Sequence, residues 1–334
     1  MSPTPKVSVV ISNWNSTGYL LAAVDSVFNS RYPDLEVVVV DDCSTRDDPR
    51  PACRKYEGDP RFRLLVNETN AGLATVFNRG LAASGGEYVL LMHSDTRLDP
   101  ECIAHLARAM QADASVGAAQ GKVLSSERPN IIQSVGQPTI DYLGMPLHGF
   151  GSGEEDRGQY DQPREVFNAW PACMMVRPSV VKKVGPFDPV YFFWYEDVDL
   201  GWRLWLTGHR IIFVPEARAW HRSRQVTDAL PVQSAYYNAR NLLLTLVKNY
   251  GVMNLLAYFP PAYALILAKG AFQLLRGHFR LGWAVLRGVA WVPAHPGYLW
   301  RARRQVQRLR RVPDSTVQRL MAKPSLRVYL GRLR

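Results

Sequence analysis

The chain has 334 residues, more than one compact core usually takes, so one large or two modest domains are expected. A hydrophobic share of 47%, with 11% aromatic residues, is that of a folded protein and excludes a low-complexity chain. The net charge of +11 is lopsided: residues 222–334 carry 19 Lys and Arg against Asp228 and Asp314 alone, a net +17, leaving −6 for the residues before them. Such asymmetry points to a polyanionic partner for the tail, either an anionic membrane surface or a nucleic acid. Cys43, Cys53, Cys102 and Cys173 form no CxxC pair and no metal-ligand spacing, so buried free thiols in a reducing compartment are expected. The apolar run Val7 to Ile11 is too short for a signal peptide.

In chain order, residues 6–11 read as a buried strand and 19–29 as a helix. Residues 35–40 and 61–66 are the second and third strands, 71–83 the next helix, 88–92 the fourth strand and 100–111 a further helix. Continuous apolar strands separated by helices predict a mostly parallel sheet covered on both faces. Ligands of such sheets sit at the carboxyl ends of the strands. Polar residues stand at each of those ends: Asn13 and Asn15, Asp41-Asp42, Asn67 and Asn70, then His93-Ser94-Asp95. Four such ends in register predict a site there.

Residues 112–170 are less regular, and the Gly-rich, charged segment 149–158 reads as a mobile loop or lid. Residues 208–214 form a turn and strand leading to His221. Residues 238–250 read as a helix. The apolar stretch 255–275 contains Pro260-Pro261 and Lys269, and the Trp-rich stretch 281–300 contains Arg287, Pro293 and Pro296. Neither is a clean uncharged span, so a helix lying in the membrane plane is favoured over one that crosses it. Core helices of a small second domain are the other reading. The arginine-rich run 301–311 suits anionic head groups, and no recognition motif supports nucleic acid.

The densest chemistry lies in Tyr191-Phe-Phe-Trp194-Tyr-Glu196-Asp197-Val-Asp199, continuing to Arg203. A carboxylate held against apolar rings has its pKa raised toward working pH, as a general base requires. The competing reading is a helix start, with Glu196 and Asp197 at the positive end and Asp199 paired to Arg203. Asp95 closes a strand where a diphosphate could meet Mg2+ or Mn2+, and His221 could add a nitrogen ligand or be structural. Asp41 could accept the imide N–H of a uracil or thymine base, or cap its own turn. The stretch Asn70-Ala-Gly72 could hold phosphate at a helix N-terminus, or be an ordinary cap. After the first strand the chain reads Ser12-Asn-Trp-Asn-Ser-Thr-Gly18 rather than GxGxxG, and no GxxxxGK[ST] occurs, which argues against dinucleotide and P-loop sites.

Taken in order, Val7 to Asn15, Val37 to Ser44, Asn70 to Asn78, Leu90 to Asp95 and Tyr195 to Arg203 resemble a family-2 glycosyltransferase, closest in style to bacterial rhamnosyl- and galactofuranosyl-type transferases, over about residues 6–250. The resemblance implies a GT-A fold within an α/β class, residues 1–225, with a nucleotide-sugar half about 1–111 and an acceptor and catalytic half about 112–225. Residues 226–334 would form a helical, basic, membrane-associating region. It implies inversion at the anomeric carbon with a nucleotide-diphosphate sugar donor, dTDP-rhamnose first and UDP-sugars second. The acceptor would be a glycan, polyprenyl-linked, at the inner face of the plasma membrane. Asp41 would bind the base, with Asn13, Asn15, Asn70, Gly72 and Ser94 near the nucleotide. Asp197 would be the catalytic base beside Glu196. Asp95, His221 and His93 would hold the divalent cation, His93 standing where the family often has Asp or Asn. Trp170 and Trp194 would line the acceptor or sugar pocket, or pack in the core. A sugar nucleotidyltransferase and a degenerate membrane-associated binding protein are the rival readings.

Overall fold

A computed structural model describes residues 4–136, 140–147, 151–222, 230–325 and Tyr329. Strands β1 (Val7–Asn13), β2 (Leu35–Asp41), β3 (Phe62–Val66) and β4 (Tyr88–His93) lie side by side and parallel, in the order β3-β2-β1-β4. Every residue of β1 and β2 is buried, which is why both read as unbroken apolar runs. Helices α1 (Thr17–Phe28), α2 (Arg50–Cys53), α3 (Leu73–Ala83) and α4 (Cys102–Ala112) complete this half. The strands begin and end within about two residues of the expected positions. Cys53, Cys102 and Cys173 are buried free thiols, as composition suggested, and Cys43 is partly exposed.

The second half of the sheet was harder to foresee. After the short β5 (Thr96–Leu98), β6 (Val116–Ser125) is buried throughout yet carries Gln120, Lys122 and Ser125, so its strand signal is broken by polar residues. Between β4 and β6 sits β9 (Met174–Val176), antiparallel to both. Next to β6 runs the long parallel strand β10 (Arg210–His221), with β5 antiparallel on its far side. The minor strands β7 (Ile132–Ser134) and β8 (Arg164–Glu165) pair antiparallel with β6 and β10. The six strands β1–β4, β6 and β10 therefore run one way, as a mostly parallel sheet should, and the short strands β7, β8 and β9 belong to the excursion that separates β6 from α5. That excursion is less free than a lid. Lys122, fully buried on β6, donates to Asp156 at 2.8 and 3.0 Å and pairs with Asp161. A buried ammonium keeps its carboxylates in place because losing them would leave a bare charge in the core. Gly149 and Phe150 lie outside the described residues.

Helices α5 (Pro178–Val184) and α6 (Glu196–Leu206) precede β10. Beyond it come α7 (Pro231–Asn249), α8 (Val252–Leu275), α9 (Phe279–Ala294), α10 (Pro296–Leu309) and α11 (Asp314–Gln318). Leu242, Leu243, Leu244 and Leu246 of α7 are buried in the same hydrophobic core as Trp202 of α6 and Val306 of α10. The tail is thus packed onto the sheet domain through α7. The prolines at 260 and 261 do not end α8, which continues through both. Proline removes the donors to the carbonyls one turn earlier, and here both prolines and residues 256 and 257 face outward. Only Ala262, Ile266 and Gly270 of α8 are buried, so an apolar stripe including Met253, Leu256, Leu267 and Leu275 is exposed along its length. By length and composition α8 could cross a membrane.

Candidate active site

The parallel register places Asn13 beside Asp41 and Ser12 beside His93, one row along the carboxyl edge of the sheet. Within that row Asp41 is closed into its own loops. It accepts from Asn13 Nδ2 at 2.7 Å, from Ser44 Oγ at 2.6 Å and from the Ser44 N–H at 2.9 Å. Asn15, at φ 50°, accepts from the N–H groups of Thr45 and Arg46, both at 2.9 Å. These bonds staple the loop after β1 to the loop after β2, so the turn chemistry expected of Asp41 is realised.

The helix N-terminus at Asn70-Ala71-Gly72 differs from the expected phosphate cradle. Asp42 accepts from Ala71 N–H at 2.9 Å and Gly72 N–H at 2.8 Å, and from Asn67 Nδ2 at 2.6 Å. The Phe192 carbonyl takes Ala74 N–H at 3.3 Å. A carboxylate and a carbonyl thus occupy donors that an incoming phosphate would need. Gly72 has φ 84°, and a Cβ there would come within 2.6 Å of Phe192 O, so no other residue lets this loop approach the aromatic run so closely.

Asp95 and His221 meet where β4 ends and β10 ends. His221 Nε2 lies 3.4 Å from Asp95 Oδ1, and His221 Nδ1 lies 2.9 Å from Gln133 Oε1. Burial pushes Asp95 up to about 7 and His221 down to about 3, the latter helped by neighbouring His93. Each group thus resists its charged form in the absence of a cation. An oxygen and a nitrogen donor facing each other, each largely buried, fit a divalent cation whose remaining positions would go to phosphate oxygens. His93 lies beside them, its ring centroid 5.8 Å from that of His221; its Nδ1 is 3.0 Å from Ser12 Oγ, and burial pushes it down to about 4. Among the described residues no third His, Cys, Asp or Glu completes a ligand set. Ser94 N–H donates to Ser12 O at 2.9 Å, binding this corner to β1. Trp170 stacks edge-on against His221 at 4.8 Å, which puts it at the cation end of the site.

The acidic motif opens α6. Glu196 is buried, its Oε2 finds no hydrogen-bond partner, and burial, then the adjacent Asp197, pushes its pKa well up. Asp197 is partly exposed, and burial pushes it up to about 6 against the pull of backbone N–H groups and of Asn168. Asn168 Nδ2 donates to Asp197 Oδ2 at 2.9 Å. Burial thus raises both acids of this pair, which titrate as a unit. Asp199 has a different task. Burial alone would raise it, yet Lys248 at 3.1 Å and Arg203 at 2.9 Å hold it at about 2. The structural reading is right for Asp199.

The loop before α6 is strained: Phe192, Trp194 and Tyr195 have φ of 62°, 69° and 70°. Such angles cost an L residue free energy and persist only when surroundings over-determine them. Asn241, fully buried on α7, does that. Its Nδ2 donates to the carbonyls of Tyr191 at 2.9 Å, Phe193 at 3.0 Å and Trp194 at 2.7 Å. Arg240 adds bonds to Val190 O and Tyr191 O. Trp194 is thereby turned outward, 38% exposed, at the mouth of the acidic motif. Sequence reasoning named Asp42 only as a strand-end residue and missed Asn168, Asn241 and Gln133. Asn168 had a signal, a lone amide inside the apolar run Val166 to Trp170; Asn241 had none, because its partners are carbonyls of a remote loop.

The family described as "Glycosyl transferase family 2" matches residues 8–185. Among curated relatives, an N-acetylglucosaminyltransferase of Rhizobium sp. (strain N33) is 39% identical over 127 residues, 37% of this chain and 28% of that one. An N-acetylglucosaminyl-diphospho-decaprenol L-rhamnosyltransferase of Mycobacterium tuberculosis is 28% identical over 217 residues, 59% of this chain and 69% of that one. The O-antigen biosynthesis protein RfbC of Myxococcus xanthus is 27% identical over 237 residues, 68% of this chain but only 18% of RfbC, so several relatives are much longer than the matched region. Among solved structures, the mannosyltransferase PcManGT from Pyrobaculum calidifontis in complex with GDP-Man and Mn2+ has a TM-score of 0.54 at 17% identity, over 92% of this chain and 86% of that one. GalNAc-T7 with UDP, GalNAc and Mn2+ has a TM-score of 0.57 at 17% identity, over 73% of this chain and 51% of that one. The fold is GT-A, and with more than half of its length matched the chain belongs to glycosyl transferase family 2.

Proposed function

We propose that this chain is an inverting glycosyltransferase that moves a sugar from a nucleotide-diphosphate sugar to a hydroxyl of a lipid-linked glycan in cell-surface polysaccharide synthesis. The observation that carries the reading is Asp197: a carboxylate raised toward neutrality, oriented by Asn168, beside the buried Glu196 at the mouth of a GT-A site. Asp197 takes the proton of the acceptor hydroxyl as that oxygen bonds to the anomeric carbon, and the carbon–oxygen bond to the diphosphate breaks on the opposite face. Asp95 and His221 are the residues that would hold a divalent cation, Mg2+ or Mn2+, which when bound neutralises charge gathering on the diphosphate. Asn13, Asn15, Asp41 and Ser94 shape the nucleotide end, and Trp194 faces the acceptor. Similarity to the rhamnosyltransferase makes dTDP-rhamnose the first donor to try, before UDP-sugars, and a polyprenyl-linked glycan the first acceptor. The exposed apolar stripe of α8, flanked by arginines, supports an anionic membrane surface as partner, at the cytoplasmic face.

Thermal unfolding with a panel of nucleotide sugars, each with Mn2+, Mg2+ or chelator, tests the reading. A donor at 100 times its Kd stabilises by about 2.7 kcal/mol. A metal-dependent shift with one donor is the expected result, and no shift with any donor would reject a nucleotide-sugar site. The pH dependence of kcat/KM is a second test. Below its folded pKa Asp197 is protonated and cannot accept a proton, so kcat/KM should fall as pH drops through about 6 and level off above it. A profile flat from pH 5 to 8 (roughly the range Asp197 controls) contradicts the base assignment.

A further inference from the structure

Near the end of α6 opposite the acidic motif, α5 and α10 enclose an open cleft of about 660 Å³. Lys182 and Lys183 from the last turn of α5 line one wall, and Trp300, Arg301, Arg304 and Arg308 line the other. On α10 these side chains share a face by their spacing of three to four residues, while Ala302 and Val306 point into the core. Thr207, which follows the last residue of α6, lines an adjoining recess with Lys183 and Arg308. At ~1.5 Å per residue, α6 sets the cleft roughly 15 Å from Glu196 and Asp197.

No acidic residue lines either cavity. Among the described residues none of these five cations is in an ion pair, although neighbouring Arg310 is held by Asp314 at 2.7 Å and cations elsewhere in the tail are also paired. Five like charges around one concavity repel one another, and an anion relieves that repulsion. The field is felt at His209, whose pKa is pushed down first by burial and then by Lys183, Arg311 and Arg177. Trp300, 60% exposed, stands at the rim with Arg304 5.0 Å over its ring. An exposed Trp beside unpaired Arg is the pattern of a membrane–water interface, and the preceding helices α8 and α9 expose Leu275, Phe279 and Trp283.

We propose that the cleft between α5 and α10 is a docking site for the phosphate head groups of anionic phospholipids, formed jointly by the sheet domain and the basic tail. The inference rests on the membrane reading of the tail and adds to it a defined site with two lysines from outside the tail. Lys182 and Lys183 are both exposed, so replacing them leaves packing intact, and neither touches the transfer site.

The test is co-sedimentation of the full chain with vesicles of phosphatidylcholine alone and of phosphatidylcholine mixed with phosphatidylglycerol. The unaltered chain should bind the mixed vesicles, and the double variant K182Q/K183Q should bind them roughly 30-fold more weakly, the loss expected for two surface-proximal charges. R157Q, which removes one exposed charge elsewhere, should bind as the unaltered chain does. Equal binding by K182Q/K183Q and the unaltered chain overturns the cleft while leaving the membrane reading standing. No binding of the unaltered chain to either vesicle sinks both. A thermal shift of the unaltered chain with inorganic phosphate, lost in K182Q/K183Q and unaccompanied by vesicle binding, would assign the cleft to a soluble anion and overturn the lipid proposal.

Discussion

Asp197→Asn should bind the donor as the unaltered chain does and transfer it at least about 100-fold more slowly, the usual contribution of a positioned general base. The change keeps the shape of the side chain and an acceptor oxygen for Asn168 Nδ2, so the fold of the α6 N-terminus is preserved. What disappears is the lone pair that takes the acceptor proton. Glu196→Gln separates the two acids. If Glu196 holds the proton of the pair, a neutral amide replaces a neutral carboxylic acid and kcat falls far less than in Asp197→Asn. Measured kcat with thermal shifts for donor affinity decides between them. Normal turnover in a well-folded Asp197→Asn protein, or an equal collapse in Glu196→Gln, would transfer the role of base away from Asp197.

The largest expected loss of stability is at Lys248. Its ammonium, 3% exposed, bridges Asp188 at 2.6 Å and Asp199 at 3.1 Å, and Tyr298 of α10 donates to the same Asp188 at 2.5 Å. Removing one partner of a buried ion pair leaves uncompensated charge in the core, and Lys248→Met should lower the unfolding free energy by about 3–5 kcal/mol. The exposed pair Arg31–Glu101, with side chains 76% and 40% exposed, provides the contrast: Arg31→Met should cost under about 1 kcal/mol. Chemical denaturation of both variants checks the difference. A cost at Lys248 as small as that at Arg31 would show that water reaches the network. The same network joins the acidic helix α6 to α7 and α10, so the tail braces the catalytic half rather than hanging from it.

Much of this protein could be read in advance because the informative residues were local. Largely apolar runs marked β1, β2 and β4, a shorter one with Arg63 inside it marked β3, and the polar residues closing them marked the edge where the site lies. The family match over residues 8–185 takes in the strand-end motifs through Asp95, while Glu196-Asp197 and His221 lie beyond it. Even the pairing of Asp199 with Arg203 followed from helical spacing.

Other features depend on distance in space. Whether Asp41 and the amides of Ala71 and Gly72 face ligand or protein was decided by Asn13, Ser44 and Asp42, which reach them only once the strands align. His93 and Asp95 are two residues apart, and both meet His221 only because β10 returns alongside β6 and ends there. Buried β6 escaped notice because hydrophobic periodicity cannot register a strand whose Lys122 is neutralised by acids more than 30 residues away. The strained turn before Glu196 needs Asn241 from a helix almost 50 residues on. The sequence by itself determined which chemistry this chain carries, because strand ends and acidic motifs are written in neighbouring residues. Only the tertiary structure decided which of those groups are free to use it, because freedom depends on burial and partners that distant segments supply.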